Sequence, residues 1–402
     1  MGRRILILGL ALNGHVMPWV ALGGELVRRG YRVSYLTTDS FAAPLEEAGV
    51  EVLPFTATAE PSSPPNEHEG VFDMLLRVLK ENSAIADVAE TQFADDPPDL
   101  VLYDTTALYA GRVLSRGWQR PAAMLSATLV EGPQYSVLDD IKSRSPATGG
   151  DDSYLLALGK FMTELGSFIA RHAANVKVTG ELFSTSKFEE LTIVNMPREF
   201  QVCGDTFDER WLFAGPFLDA RAFQGQWEPP GDNPVLLVSL GTLDYVGQLA
   251  FQQTCVSAFS GLDWHVVIST GLQLDPAELG PLPPNIEAHR TVPQLAILKR
   301  ARLFVSHGGM GGTMEALSAG VPILAFPQLP EQMITADRIA ELGLGRRCGR
   351  DISARELRAA ALETAGDASV ARALAEMREH IKKAGGAPRA ADEIEANLLS
   401  HG

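Results

Sequence analysis

The chain reads as an α/β protein of two doubly wound, Rossmann-like domains facing each other across a cleft. Three observations predict this architecture. Short apolar runs rich in β-branched residues alternate with helical stretches at the cadence of βαβ units. The alternation breaks at a proline- and glycine-rich stretch and then restarts. The length, 402 residues, exceeds one compact core and accommodates two domains of about 150–200 residues each.

The elements follow in order. Ile5–Leu10 is a continuous apolar run, the form a fully buried parallel strand takes. The Asn13-Gly-His-Val-Met-Pro18 turn leads to a helix over Trp19–Arg29, which Gly30 stops. Strands are predicted at Tyr31–Thr37, Val50–Phe55, Asp99–Asp104 and Ala122–Ala127. Residues 56–70, rich in Pro, Ser and Glu, read as a loop. Residues 131–155 carry turn formers and acids without periodicity and read as a second long loop before a helix near 155–172. Gly215-Pro-Phe and the Gly225-to-Pro234 stretch bracket the break. Beyond it, Val235–Leu240, Trp264–Ser269, Ile286–His289, Leu303–Ser306 and Pro322–Phe326 are predicted strands. Helices over 352–365, 368–384 and 388–399 close the chain. The expected organisation is an N-terminal domain over 1–215, a linker over 216–233, a C-terminal domain over 234–380, and a segment over 381–402 that packs back on the N-terminal domain.

Charge and composition narrow the function. With 34 basic against 50 acidic residues the formal net charge is −16, which argues against nucleic acid or an anionic membrane surface as the main partner. A small anionic ligand held by backbone amides is not excluded. Cys203, Cys255 and Cys348 match no zinc or redox spacing and read as reduced thiols. No stretch reaches the ~20 apolar residues of a membrane span, so no stable membrane insertion is expected. The apolar start is interrupted at Asn13-Gly-His15 without a cleavage site, and Gly2 has Leu6 where myristoylation wants a hydroxyl. A soluble, cytoplasmic protein is expected.

The strongest chemical signal is His307-Gly-Gly-Met-Gly-Gly-Thr-Met-Glu315, which a buried strand enters and a helix leaves. Glycines at such a turn, among them Gly309, Gly311 and Gly312, let backbone amides approach a ligand, and the helix N-terminus favours a phosphate. His307 is placed to donate to a phosphate oxygen, and Glu315, about one turn into the helix, to accept from sugar hydroxyls. The pattern is neither a P-loop nor a Rossmann fingerprint, and a glycine turn alone is equally an ordinary structural turn. Ser239-Leu-Gly241-Thr242 is a second such turn, either meeting the same phosphates or simply ending a strand. Glu331 and Gln332 follow the 322–326 strand, where they can read vicinal hydroxyls. In the N-terminal half, His15 follows the first strand directly before a helix, which suits a neutral base, and Asp104 ends another strand of the same sheet. A carboxylate there can hold the imidazole's other N–H. No metal spacing connects the histidines, and no protein-held metal is predicted.

These elements together resemble the family 1 glycosyltransferases of the GT-B fold, in the bacterial macrolide-type, UDP-glycosyltransferase-like branch, over essentially the whole chain. The most specific stretches are Val292-Pro-Gln-Leu-Ala-Ile-Leu298, His307 to Leu317, Gly320-Val-Pro322, Pro327-Gln328 and Glu331-Gln332, joined by Asn13-Gly-His15 and Leu100–Asp104. The resemblance implies an N-terminal acceptor domain and a C-terminal nucleotide-sugar domain. It implies an inverting hexosyltransferase that moves a sugar from UDP-glucose or a dTDP-deoxyhexose to a hydroxyl of a small apolar acceptor of macrolide, polyketide or phenolic type. In that frame His15 deprotonates the acceptor hydroxyl, and Asp104 orients and stabilises the charged His15. Ser239, His307, Gly311, Gly312 and Thr313 hold the diphosphate, Glu315 binds ribose, Glu331 and Gln332 read the sugar, and Val292 and Gln294 border the base.

The chain departs from many members in having Glu331 for aspartate and Thr291 for a base-stacking tryptophan. Threonine offers no stacking face. Arg290 can offer one, but its side chain points the other way if the segment is extended, so a loosely held base is expected. The resemblance implies no cofactor beyond the nucleotide sugar; a homodimer is neither required nor excluded. The alternatives are a nucleotide-sugar epimerase or hydrolase, and a nucleotide-sugar sensor without turnover.

Overall fold

The computed structural model describes residues 2–56, 71–144, 151–173, 176, 189–218, 225–241, 245 and 247–399. The chain divides into two units: Met1–Leu138, Ser145–Ala220 and Ala384–Gly402 form the first, Asp139–Arg144 and Arg221–Lys383 the second.

The first unit is built on a seven-stranded, wholly parallel sheet. Its strands are β1 (Arg4–Leu8), β2 (Arg32–Thr37), β3 (Glu51–Pro54), β4 (Leu100–Asp104), β5 (Ala122–Ser126), β6 (Thr192–Val194) and β7 (Trp211–Phe213), ordered β3-β2-β1-β4-β5-β6-β7. Both faces of such a sheet are covered, which is why Ile5 to Leu8 and all of β4 are buried and read as unbroken apolar runs. Its helices are α1 (Asn13–Arg28), α2 (Ala42–Glu47), α3 (Val71–Gln92), α4 (Leu108–Trp118) and α6 (Asp151–His172), while α5 (Val137–Arg144) belongs from Asp139 onward to the second unit. One core cluster joins Ile5, Ile7, Trp19, Leu22, Leu102 and Leu125 to Ala390, Ala391 and Ile394 near the C-terminus.

The second unit carries a six-stranded parallel sheet of β8 (Val235–Ser239), β9 (His265–Ser269), β10 (Ile286–His289), β11 (Ala301–Ser306), β12 (Ile323–Ala325) and β13 (Gly345–Arg347), ordered β10-β9-β8-β11-β12-β13. Its helices are α7 (Gln248–Phe259), α8 (Gln294–Leu298), α9 (Met310–Ala319), α10 (Pro330–Glu341), α11 (Ala354–Gly366) and α12 (Ala368–Ala384). The last helix, α13 (Gly386–Ile394), and the π-helical turn Glu395–Leu399 belong to the first unit. There Arg29 bonds Glu395 at 2.6 Å and Asp392 at 2.7 Å, Tyr31 donates to Glu395, and the Gly386 amide donates to the Ala214 carbonyl.

The strand order reverses once in each sheet, between β1 and β4 and between β8 and β11. Those are the switch points at whose carboxyl ends open α/β sheets bind ligands. His15 and Asp104 follow or end the first pair; Ser239 and His307 end or follow the second.

Several expectations need correction. The first helix starts at Asn13, so His15 lies inside its first turn and not before it, and Pro18 lies within the helix. The expected loop over 131–155 contains α5 and the start of α6. Helix α5 buries no residue and is marked by charge, with Asp139 and Asp140 early and Lys142 and Arg144 late, so apolar periodicity could not reveal it. Helix α3 and the three-residue strands β6 and β7 also went unread. Most of the loop expected at 56–70 lies outside the described residues.

Candidate functional site

At the first switch point the site is assembled around one carboxylate. Asp104 closes β4 fully buried, and its Oδ1 accepts from His15 Nδ1 at 2.9 Å, the Thr106 amide at 2.9 Å and the Thr106 hydroxyl at 2.7 Å. Its Oδ2 accepts from Trp19 Nε1 at 2.9 Å. Burial pushes the Asp104 pKa up, but the His15 charge and hydrogen bond, with the Thr106 donors, outweigh it and hold the carboxyl below its ordinary value. An ionised carboxylate accepts only, so the proton of the His15–Asp104 bond is on Nδ1 and the ring's acceptor lone pair is on Nε2. His15 and Trp19 stand one turn apart on α1, which aims both at the same strand end. Sequence reading found His15 and Asp104 and missed Trp19 and Thr106. The i, i+4 spacing of His15 and Trp19 was the available signal.

At the second switch point β8 and β11 run in register from Leu236↔Leu303-level pairing to Ser239↔Ser306. Past β11, the chain turns through His307, Gly308 and Gly309 into α9. The His307 ring is pressed between two glycines: a Cβ on Gly309 would stand 2.3 Å from Nε2, and one on Gly241 2.7 Å from Cε1. Burial lowers the His307 pKa to about 4, against a raising contact with the Ser239 backbone, so the ring is neutral at physiological pH. Its Nδ1 is enclosed without a hydrogen-bond partner, and so is the Thr313 hydroxyl. Gly309 caps α9, and Gly311, Gly312 and Thr313 occupy its first turn. Glu315, fully buried further along α9, accepts from Gln294 Nε2 at 2.6 Å, which joins two of the expected donor residues directly.

The remaining donor residues are placed less uniformly. Gln332 is buried: its Oε1 accepts from the Gln328 and Leu329 amides and its Nε2 donates to the Tyr245 hydroxyl at 2.9 Å. Those bonds use one of the two amide protons. Tyr245, whose ring lies 6.1 Å from that of His307 and whose pKa burial raises to about 12, is a site neighbour that the sequence did not single out. Glu331 is exposed at the first turn of α10. Thr291 is exposed and Val292 half-buried before α8. The Arg290 guanidinium is pinned by Asp275 at 2.8 Å and by the Leu272 carbonyl at 3.0 Å. Thr242 lies outside the described residues.

Among the described residues, Asp87 and Glu90 of α3 and His172 of α6 bring donor atoms within 4.8 Å of one another. Glu90 bonds the imidazole at Nδ1, whereas Ser83 at 3.2 Å and Asp87 at 3.8 Å lie at Nε2, and Arg171 reaches Asp87 at 3.3 Å. Metal ligands must converge on one point; these bracket a ring from opposite sides and tie two helices together. Among the described residues, no helix is long and apolar enough to cross a membrane.

The family model of the erythromycin biosynthesis protein CIII-like C-terminal domain matches residues 253–395. An NDP-glycosyltransferase, YjiC, of Bacillus licheniformis is 38% identical, covering 100% of this chain and 99% of its own. The oleandomycin glycosyltransferase of Streptomyces antibioticus is 36% identical over 98% of this chain and 90% of its own. The solved structure of CalG4, the calicheamicin glycosyltransferase, superposes with a TM-score of 0.84 at 36% identity, covering 100% of this chain and 99% of that one.

Proposed function

The chain belongs to the family 1 glycosyltransferases of the GT-B fold, in the macrolide-type, NDP-glycosyltransferase branch, and on that premise we propose that His15 is the base of an inverting sugar transfer. The donor is a nucleoside diphosphate sugar, UDP-glucose or a dTDP-deoxyhexose. The acceptor is a hydroxyl of a small apolar molecule of macrolide, polyketide or phenolic type.

The observation that carries this reading is the His15–Asp104 pair: a fully buried carboxylate at the β1/β4 switch point holding Nδ1 of a histidine in the first turn of α1. His15 Nε2 takes the acceptor's hydroxyl proton while that oxygen attacks the anomeric carbon opposite the departing diphosphate, inverting the centre. Asp104 stabilises the imidazolium that forms. In the second unit, the α9 N-terminus with Gly309, Gly311, Gly312 and Thr313, the Ser239 turn and His307 take the diphosphate and stabilise the charge that grows on it. Glu315, steered by Gln294, takes the ribose hydroxyls; Glu331 and the spare amide proton of Gln332 take the sugar; Arg290, Thr291 and Val292 border the base. The step asks for no cofactor beyond the donor.

The test is nucleotide release from UDP-glucose and from a dTDP-deoxyhexose, with and without a phenolic or macrolide acceptor, in wild type and His15→Ala. Release only with acceptor, falling about 10²–10⁴-fold in the variant while calorimetric affinity for UDP or dTDP holds, is the expected result. Release without acceptor makes the protein a hydrolase, a changed sugar on intact nucleotide an epimerase, and binding without release a sensor. Near-normal turnover of His15→Ala removes the base.

A further inference from the structure

Trp19 takes no part in the chemistry above, yet its indole holds the only described hydrogen bond to Asp104 Oδ2, while Oδ1 takes His15 and Thr106. We propose that Trp19 is a positioning residue of the proton-transfer pair, whose N–H locks the Asp104 carboxylate so that Oδ1 stays on His15. The inference rests on the reading of His15 as base.

The geometry gives the indole few other reasons to be there. Trp19 and Asp104 are both fully buried, so the bond forms out of reach of competing water. A side chain needed only to fill the core would serve as Phe or Leu, whereas a buried indole N–H demands an acceptor. The ring is itself held: it meets Phe217 edge-on at 5.8 Å, and the Phe217 amide donates to Asn195 Oδ1 at 2.8 Å. Its position, one helical turn beyond His15 on α1, lets one helix supply both the base and the brace of its partner. Without the brace, the carboxylate can rotate about its last torsion and loses a donor that favours its charged form.

A pH consequence follows. The titratable groups facing Asp104 are His15 on α1 and the Tyr35 phenol on β2; Thr106 and Trp19 carry no charge. The His15 charge and hydrogen bond both act on Asp104, so the two groups are coupled. Loss of the indole donor makes the pair take up its inactivating proton at a higher pH, so the acidic limb of the rate profile moves up.

The experiment is steady-state transfer from UDP-glucose or a dTDP-deoxyhexose to a phenolic or macrolide acceptor, across pH, for the full chain of wild type, Trp19→Phe, Asp104→Asn and the double variant. Trp19→Phe keeps an aromatic ring against Phe217 and removes the N–H. The expected result is a fall in kcat of about tenfold to a hundredfold with KM for donor and acceptor held. The acidic limb moves up by about half a unit to one unit. The double variant is then no slower than Asp104→Asn alone, since the brace has nothing left to orient. Losses that multiply in the double variant, with an unmoved acidic limb, overturn the proposal in favour of plain core filling. If Trp19→Phe fails to fold, benzothienylalanine at position 19, which keeps the indole shape with sulfur for N–H, is read by the same criteria. Activity surviving in His15→Ala removes the base itself; activity lost there with Trp19→Phe like wild type removes only the brace.

Discussion

Asp104 is held charged in a place that offers it no water. Its partners divide cleanly: the His15 imidazole and Thr106 on one oxygen, the indole on the other. Asp104→Asn keeps the shape but replaces an acceptor oxygen with an N–H that cannot accept from Nδ1. It is expected to slow turnover less than His15→Ala does, because the imidazole survives. His307 shows the opposite use of burial. Its pKa, ordinarily 6.5, is lowered by burial to about 4, so the folded chain keeps it neutral while the unfolded chain takes up a proton below 6.5. Between those values the unfolded state binds more protons, and stability is lost as pH falls through that window. Urea midpoints at pH 7 and 5 are expected to show this loss, reduced in His307→Asn. Equal pH dependence in the two proteins would mean that the ring is not held neutral.

At the scale of elements, the strand-to-helix turns carry the steric demands. The sequence drew attention to all the glycines after His307, but around that ring the tightest demands fall on Gly309 and Gly241, which close on the same imidazole. A Cβ on Gly312 would meet Gln294 Nε2 at 3.4 Å, which a small adjustment accommodates. Gly241 also adopts a φ of 87°, which disfavours any side chain. Gly309→Ala must therefore push His307 out of its rotamer. An off-rotamer ring costs about 0.5–1.5 kcal/mol, so UDP affinity by calorimetry is expected to weaken several-fold to about tenfold in a variant that still folds. Unchanged affinity would detach His307 from the diphosphate site.

For the whole molecule, the two units carry separate cores, and their switch points carry different groups: a buried carboxylate bonded to a histidine in one, a glycine-rich strand-to-helix turn in the other. A nucleotide bound by the second unit stabilises it by mass action, about 2.7 kcal/mol at a hundredfold excess over Kd. Hydrogen exchange on the full chain with saturating UDP is expected to slow in peptides spanning β8 and the β11–α9 turn, while peptides of β6 and β7 exchange as before. Protection confined to the first unit would place the nucleotide wrongly.

What the sequence determined by itself was whatever local pattern can encode. Unbroken apolar runs such as Ile5–Leu10 and Leu303–Ser306 mark parallel strands because both faces are covered. The His307-to-Glu315 turn is legible because glycine, histidine and an acid at fixed offsets have few other uses. Helix α5 stayed hidden because it buries nothing, and β6 and β7 because three residues carry no period. Tertiary structure alone decided the strand order. Pairing β1 with β4, in register from Ile5↔Leu100 to Leu8↔Tyr103, brings His15 beside Asp104. It alone showed that Gln332 and Arg290 spend their polar groups on Tyr245 and Asp275, and that Trp19 spends its own on Asp104. A hydrogen bond between residues distant in sequence leaves no trace in either one's neighbours; it exists only once folding has removed the water that would otherwise satisfy both.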